Sequence, residues 1–242
     1  MPSSIPSDTT LVIKTFERPE CLSRIIRSIR IYYPTTQVLI ADDSRKPVAI
    51  NNACTRTYAM PYDSGLSAGR NLLLSKVATD YFVLLDDDFI FTDATILETL
   101  QSYIASGYDL VAGSVNDTRH IPFHIGEIIS INGIGSVKII QAPDKPIVDC
   151  SFVPNFFMAR TTAIRPIGWT ERLKLAEHMD FFIRAYGRLK IGYCRGVSVL
   201  HDREPRSLFY RRMRSRTVDF QKPTIQPYTL VRSTRRPFLG RR

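Results

Sequence analysis

The chain has 242 residues, 44% of them hydrophobic, and 33 Lys and Arg against 23 Asp and Glu give a formal charge of +10. That is enough apolar side chain to fill the core of one large domain, so no disulfide or zinc staple is required. Cys21, Cys54, Cys150 and Cys194 form no C-x-x-C pair, which argues against a thiolate zinc site and a disulfide framework.

The N-terminus MPSSIPSDTT has no basic stretch followed by an apolar one, and nowhere do about 18 apolar residues run together. The expectation is a soluble, cytosolic protein with no signal peptide or membrane span. A positive balance suits nucleic acid, an anionic membrane surface or a phosphorylated ligand. Much of it lies beyond Asp202, where REPRSLFYRRMRSR and RSTRRPFLGRR are rich in arginine. The chain therefore divides into a domain over 1–202, with halves at about 1–115 and 116–202, and a basic arm over 203–242.

In chain order, Leu11 to Lys14 is a short strand-like run, and Pro19 suits the first turn of a helix. Leu22, Ile25, Ile26, Ile29 and Tyr33 recur at helical spacing until Pro34 stops the pattern. QVLIADDS is a second strand ending on Asp42 and Asp43, and YAM is a short third. DSGLSAGRNLLLSKV opens with a flexible Gly65 and a serine able to cap, then continues as a helix. YFVLLDDD is the continuous apolar run of a central strand buried on both faces. Asp93 is the expected cap of a helix through Ile96, Leu97 and Leu100, followed by the strand DLVAGSV. EIISINGIGSVKIIQ reads as a hairpin around a glycine-containing turn.

Strands alternating with helices predict an α/β fold: a Rossmann-like, mostly parallel central sheet flanked by helices, with a small β-hairpin insertion. In such a sheet ligands bind outside the carboxyl ends of the strands. Those ends carry Thr15, Phe16 and Arg18, then Asp42 and Asp43, then Asp86, Asp87 and Asp88. A lone Asp run is most simply a solvated turn. Here there is no G-x-G-x-x-G and no P-loop to bind phosphate directly, and clustered carboxylates are what Mg²⁺ or Mn²⁺ prefers.

VIKTFERPE, IADDS, GLSAGRN, YFVLLDDDF, NFFMAR and IGWTERLKLAEHMDFFIRA occur in the order of the matching blocks in family-two-like glycosyltransferases of the GT-A fold. In wording, ADDS, DDDF and NFF-x-AR resemble most the β-1,4-N-acetylgalactosaminyltransferases that build gangliosides, and the likeness runs from about Leu11 to His201. The resemblance implies an inverting, metal-dependent transferase using a nucleotide-diphosphate sugar, UDP-linked and in one version UDP-N-acetylgalactosamine, with a glycan or glycolipid acceptor. It implies that Asp86 and Asp88 hold Mn²⁺ or Mg²⁺ on the donor diphosphate. It also implies that Thr15, Phe16, Arg18, Asp42, Asp43 and Asp87 contact the nucleotide, and that Gly65, Arg70 and Asn71 line the donor pocket.

An inverting transferase needs a carboxylate to take the acceptor hydroxyl's proton. LAEHMDFF offers Glu177 and Asp180, three apart on one helix face near its N-terminus, where ionised acids are favoured. They also read simply as first-turn acids that stabilise the helix. The usual family-two pattern has Asp directly after Glu, whereas this chain has His178. On the resemblance Asp180 is the first choice of base and Glu177 the second, with His178 a contact to acceptor or phosphate. The resemblance also makes His201, after the strand GVSVL, a third metal ligand, and places Trp169, Asn155 and Phe156 along an acceptor wall.

The arm interleaves aromatic residues and arginines. It suits peripheral contact with anionic lipid, a solvated tail, or a lid over the donor site. Two rival functions remain on sequence grounds: a nucleotidyltransferase with a similar acidic metal site, and an RNA-binding protein using the arm. No known nucleic-acid module accompanies the arm, so nucleic acid is not the expected partner.

Overall fold

The computed structural model describes residues 5, 7–117, 124–131, 134–174, 177–202 and 230–232. The first half runs β1 (Thr9–Thr15), α1 (Pro19–Tyr32), β2 (Gln37–Asp42), β3 (Asn51–Asn52), β4 (Thr55–Ala59), α2 (Leu66–Lys76), β5 (Tyr81–Asp86), β6 (Phe89–Ile90), α3 (Leu97–Ala105) and β7 (Leu110–Asp117). The second half runs β8 (Ile125–Ile131), β9 (Ile134–Ile140), β10 (Val148–Asp149), β11 (Phe157–Arg160), α4 (Thr161–Ile164), α5 (Glu177–Ala185), β12 (Ile191–His201) and β13 (Leu230–Arg232).

The main sheet has the order β10-β12-β7-β11-β5-β1-β2-β4-β3, with β6 paired to β12. Strands β4, β2, β1 and β5 are parallel neighbours, as are β7 and β12. Between the two groups β11 runs antiparallel to both β5 and β7. This puts β5 in the middle of the sheet, which is why its sequence is apolar throughout. Val83 and Leu85 face α1 and α3 with Leu11, Ile13, Leu22, Ile25, Leu100 and Ile104. Phe82 and Leu84 face the opposite layer with Val12, Leu73, Leu74, Trp169, Phe181 and Phe182. Side chains alternate across a strand, so each face needs its own apolar set.

Helix α1 begins at Pro19, with Glu20 in its first turn and Arg30 in its last, both favourable to the helix dipole. Two expected caps differ. Gly65, at φ 95°, precedes α2 and no side chain caps it; Ser64 Oγ donates to Pro61 O and Ser67 Oγ to Leu173 O. Asp93 does not cap α3 either. That helix starts at Leu97, whose N–H donates to the buried Tyr33 hydroxyl at 2.9 Å. The hydroxyl arrives from the end of α1, so the cap comes from across the core and local spacing does not reveal it.

The hairpin is β8 and β9, antiparallel from Ile125↔Ile140 to Ile131↔Ile134, and β13 adds parallel to β9. The second, small sheet is thus three-stranded and takes one strand from the arm. The rest of the arm, 203–229 and 233–242, and the expected lipid contact or lid lie outside the described residues. No described helix is long and apolar enough to cross a membrane.

One irregularity sits in β12. Its register to β7 pairs Cys194 with Gly113 and then Ser198 with Ser114, leaving Arg195, Gly196 and Val197 as extra residues. Gly113 permits this, because a Cβ there would lie 2.4 Å from the Phe156 ring and 2.7 Å from Val197 O. Beyond the bulge the strands realign, and His201 ends opposite Asp117.

Candidate active site

The carboxyl ends of β1, β2, β5, β7 and β12 form one acidic rim. Strand β1 delivers Lys14 and Thr15. The Lys14 ammonium, nearly buried, pairs with Asp43 and donates to Thr15 O at 2.7 Å. Burial lowers the Lys14 pKa, and the Asp43 carboxylate opposes that shift. Asp43 also accepts from Gly65 N–H at 2.7 Å, while Asp42 accepts from Ser44 N–H at 2.9 Å and Val48 N–H at 2.8 Å. Both aspartates are 1% exposed. In this structure they organise the loops around the rim, and their carboxylates are not open to a nucleotide as the resemblance implied.

The Asp run is anything but a solvated turn. Asp87 accepts from Thr15 Oγ1 at 2.7 Å and from Arg18 at 2.7 Å, and Asp88 takes the other arm of the Arg18 fork at 2.8 Å. Burial raises the Asp87 pKa against the pull of Arg18. Burial also pushes Asp88 upward, yet hydrogen bonds and charge from His201 and Arg18 hold it well below the usual carboxylate range. Asp86 is the open member, its side chain 35% exposed, lying 3.2 Å from Arg70 and 3.4 Å from Asn155 Nδ2. Burial raises its pKa, partly offset by Arg70.

His201 joins the rim where expected. Its Nε2 is 3.1 Å from Asp88 Oδ2 and its Nδ1 is 3.1 Å from Asp117 Oδ2, with the Phe89 ring edge-on at 5.7 Å. Among the described residues no group of three His, Cys, Asp or Glu side chains is gathered as a metal site. Two of the three expected ligands do meet, and an imidazole beside a carboxylate is a donor pair suited to Mn²⁺. Asp86, expected as the third, is turned instead toward Arg70 and Asn155. The buried Asn155 Oδ1 has no hydrogen-bond partner. Acid and imidazole chemistry at this corner therefore fits a divalent cation, with Asp88 and His201 as its nearest donors.

Helix α5 brings the second carboxylate pair. Glu177, 3% exposed, accepts from Arg70 NH1 at 2.7 Å, so one buried guanidinium joins it to Asp86. Asp180 faces elsewhere: it accepts from Thr170 Oγ1 at 2.7 Å and from Arg184 Nε at 2.9 Å, while Arg184 also binds the carbonyls of Ile167 and Gly168. His178 lies between Phe152 and Phe182, with ring centroids at 4.8 and 5.0 Å. Burial, reinforced by Arg70, lowers its pKa to about 3, so at neutral pH it is an uncharged imidazole.

The expected acceptor wall is mostly core. Trp169 is 5% exposed and stacks on Phe181 at 5.0 Å, and Asn71 holds its backbone with bonds of 2.7 and 2.8 Å in both directions. Phe156 is 0% exposed and packs over Gly113. Neither offers an aromatic surface to a sugar: Trp169 fills the apolar layer under α5 with Phe181 and Phe182, and Phe156 fills the opposite layer with α1 and α3; Asn155 alone of the three borders the rim. Gly65 and Asn71 likewise support the structure, Asn71 through those two hydrogen bonds and Gly65 through packing. A Cβ on Gly65 would meet Lys174 at 2.8–3.0 Å, so the glycine admits the 173–174 segment against α2.

Sequence reasoning missed Asp117, Lys14 and an exposed pair at the edge of the rim. Tyr62 lies 5.7 Å from Phe16, and the Arg45 guanidinium stands 5.2 Å from its ring. Asp117 was open to detection, since it closes the apolar run of β7 as Asp86 closes that of β5. Lys14 lies within the block VIKTFERPE without being singled out there, and Tyr62 and Arg45 follow no motif.

A mostly parallel sheet, interrupted inside by the antiparallel β11 and edged by short antiparallel pairings, with an acidic rim at its carboxyl ends, is the arrangement of GT-A glycosyltransferases. A GalNAc-T7 crystal structure with UDP, GalNAc and Mn²⁺ superposes with TM-score 0.63 at 13% identity, covering 87% of this chain and 47% of that one. Staphylococcus aureus TarS 1-349 with UDP-GlcNAc gives 0.60 at 15% identity, covering 82% and 60%. The chain belongs to glycosyl transferase family 2, whose sequence profile matches residues 10–164. Human β-1,4 N-acetylgalactosaminyltransferase 1 is 36% identical over 212 residues, covering 82% of this chain and 39% of the human protein. Mouse β-1,4 N-acetylgalactosaminyltransferase 2 is 38% identical over 200 residues, covering 79% and 39%. The chain thus spans about two fifths of the length of the curated relatives it matches.

Proposed function

We propose that the domain is a metal-dependent, inverting transferase that moves a sugar, N-acetylgalactosamine in its specific form, from a UDP-linked donor to a hydroxyl of a glycan or glycolipid. The observation that carries this is the corner where Asp88, His201 and Arg18 converge at the carboxyl end of the central strands. The relatives' names support the donor sugar, and the UDP ligands of the structural neighbours support the nucleotide.

In this reading Asp88 and His201, with Asp86 swinging from Arg70, hold Mn²⁺ or Mg²⁺. The bound cation supplies charge neutralisation for the departing diphosphate. Arg18 ties Asp87 and Asp88 together through its two-armed contact and helps hold Asp88 as the carboxylate. Phe16 and the neighbouring Tyr62 border the nucleotide end. For the base, the contacts favour Glu177 over Asp180, reversing the order that the motif suggests. Arg70 bonds Glu177 and places it beside Asp86, whereas the contacts of Asp180 with Thr170 and Arg184 turn it toward the 167–170 turn. Glu177 takes the acceptor proton, and Asp180 secures the start of α5. Neutral His178 borders Glu177 as an uncharged neighbour for the acceptor.

The test is a thermal-shift panel of UDP-, GDP-, CMP- and dTDP-sugars with and without Mn²⁺, on the wild type and Asp88→Ala. A ligand confined to the folded state raises the midpoint by mass action. Stabilisation by a UDP-sugar that needs Mn²⁺ and vanishes in Asp88→Ala is the expected result. No shift with any donor overturns the reading. Release of pyrophosphate instead of nucleoside diphosphate assigns the site to nucleotidyl transfer.

A further inference from the structure

We infer that Asp117 is a positioning residue that fixes the His201 imidazole so that Nε2 presents its lone pair to a divalent cation shared with Asp88. The inference rests on the metal-dependent reading above, but it concerns a residue that carries no motif. Four observations support it.

The first is reach: Asp117 Oδ2 lies 3.1 Å from His201 Nδ1, while His201 Nε2 lies 3.1 Å from Asp88 Oδ2, so the ring spans two carboxylates. The second is burial. The Asp117 side chain is 0% exposed and those of His201 and Asp88 are 8% exposed, which keeps water from competing for either ring nitrogen. The third is register, because Asp117 and His201 are paired residues of the parallel strands β7 and β12. The fourth is the wall: the Phe89 ring stands edge-on to the imidazole at 5.7 Å and 87°, and Phe89 is itself paired with His201 across β6 and β12.

An ionised carboxylate only accepts hydrogen bonds, so Nδ1 facing Asp117 must carry its proton. Nε2 makes the matching 3.1 Å contact with Asp88 Oδ2, and it is this contact that a cation shared with Asp88 would replace. A carboxylate behind a metal-bound imidazole fixes ring orientation and raises ligand basicity, and losing such a partner weakens metal affinity about 10–100-fold. Asp117 stands in that place behind His201.

The experiment titrates Mn²⁺ into the full chain with UDP present, reading free Mn²⁺ by electron paramagnetic resonance, for the wild type, Asp117→Ala, Asp117→Asn and His201→Ala. Bound Mn²⁺ is also examined for pulsed-resonance modulation from ¹⁵N-histidine. The expected result is nitrogen modulation in the wild type and none in His201→Ala. Asp117→Ala should bind Mn²⁺ about 10–100-fold more weakly with altered modulation, and Asp117→Asn should fall between, since its amide oxygen still accepts from Nδ1–H. Wild-type affinity and modulation in Asp117→Ala overturn the role of Asp117 and leave the metal reading intact. Wild-type Mn²⁺ binding without nitrogen modulation removes His201 as a ligand, and the inference falls with it. Absence of Mn²⁺ binding by the wild type overturns both. If Asp117→Ala does not fold, Asp117→Asn and the wild-type modulation decide.

Discussion

Replacing Arg70 by leucine tests whether one guanidinium is what allows two carboxylates to approach each other beneath the rim. The Arg70 side chain is 2% exposed and bonds Glu177 at 2.7 Å and Asp86 at 3.2 Å. Glu177, 4% exposed as a side chain, would be left as an uncompensated buried charge, and breaking such a pair costs about 3–5 kcal/mol. Asp86 is 35% exposed and can be rehydrated, so its share is that of a surface pair, at most about 1 kcal/mol. The sum is about 4 kcal/mol, a large part of the 5–15 kcal/mol that typically holds a domain together. Urea unfolding followed by circular dichroism at pH 7 measures it. The companion variant Arg70→Leu/Glu177→Leu leaves no orphan charge and should recover to within about 2 kcal/mol of the wild type. A single-variant loss below about 1 kcal/mol, or a double variant no more stable than the single, would refute this account of the pair.

Asn71→Ala removes both bonds to the Trp169 backbone, with an expected loss of about 2 kcal/mol; Trp169 is the sole tryptophan, so its emission should shift to the red, and an unchanged spectrum counts against the clamp. Gly65→Ala puts a Cβ 2.9 Å from Lys174 Cα at φ 95°. It should destabilise by more than about 1 kcal/mol and raise tryptic cleavage after Arg172 or Lys174, which a proteolysis time course reads. His178 has its pKa lowered to about 3 by burial and by Arg70, against about 6.5 in an unfolded chain. Between those values the unfolded state binds the extra proton, so this residue costs stability as pH falls. His178→Gln should therefore lose less stability than the wild type between pH 7 and pH 5, and equal losses in urea titrations contradict the assignment.

The parts of the fold set by local pattern were readable in advance. Strands β1, β2 and β5, helices α1 and α2 and the β8–β9 hairpin follow from apolar runs, helical spacing and glycine. The acidic rim followed from where those runs stop. Strand order is different, because it depends on which distant segment wins a place in the sheet. Nothing within FMAR says that β11 lies antiparallel between β5 and β7. The same holds for the site. Asp88 and His201 were found as strand-end residues and do meet, but Glu177 and Asp180 share one helix face and are told apart only by Arg70 on one side and Thr170 with Arg184 on the other. Trp169 reads equally well as a sugar platform or as core, and the layer beneath α5 takes it, while Phe156 is taken by the opposite layer against α1 and α3.

The three extra residues of β12 make the position of His201 a matter of parity. Successive side chains point to opposite faces of a strand, so a slip of one residue reverses every side chain beyond it. From Cys194 to His201 the chain advances seven residues while β7 advances four, from Gly113 to Asp117. Ser198 is pinned on the far side of the bulge, its N–H donating to Ala94 O at 3.0 Å and its carbonyl accepting from Thr95 Oγ1 at 2.6 Å. Length variation within Arg195–Val197 can be absorbed as a larger or smaller outward loop while that anchor holds. Between Ser198 and His201 no such slack exists. Loss or gain of a single residue there would aim the imidazole away from Asp88, with every residue type unchanged.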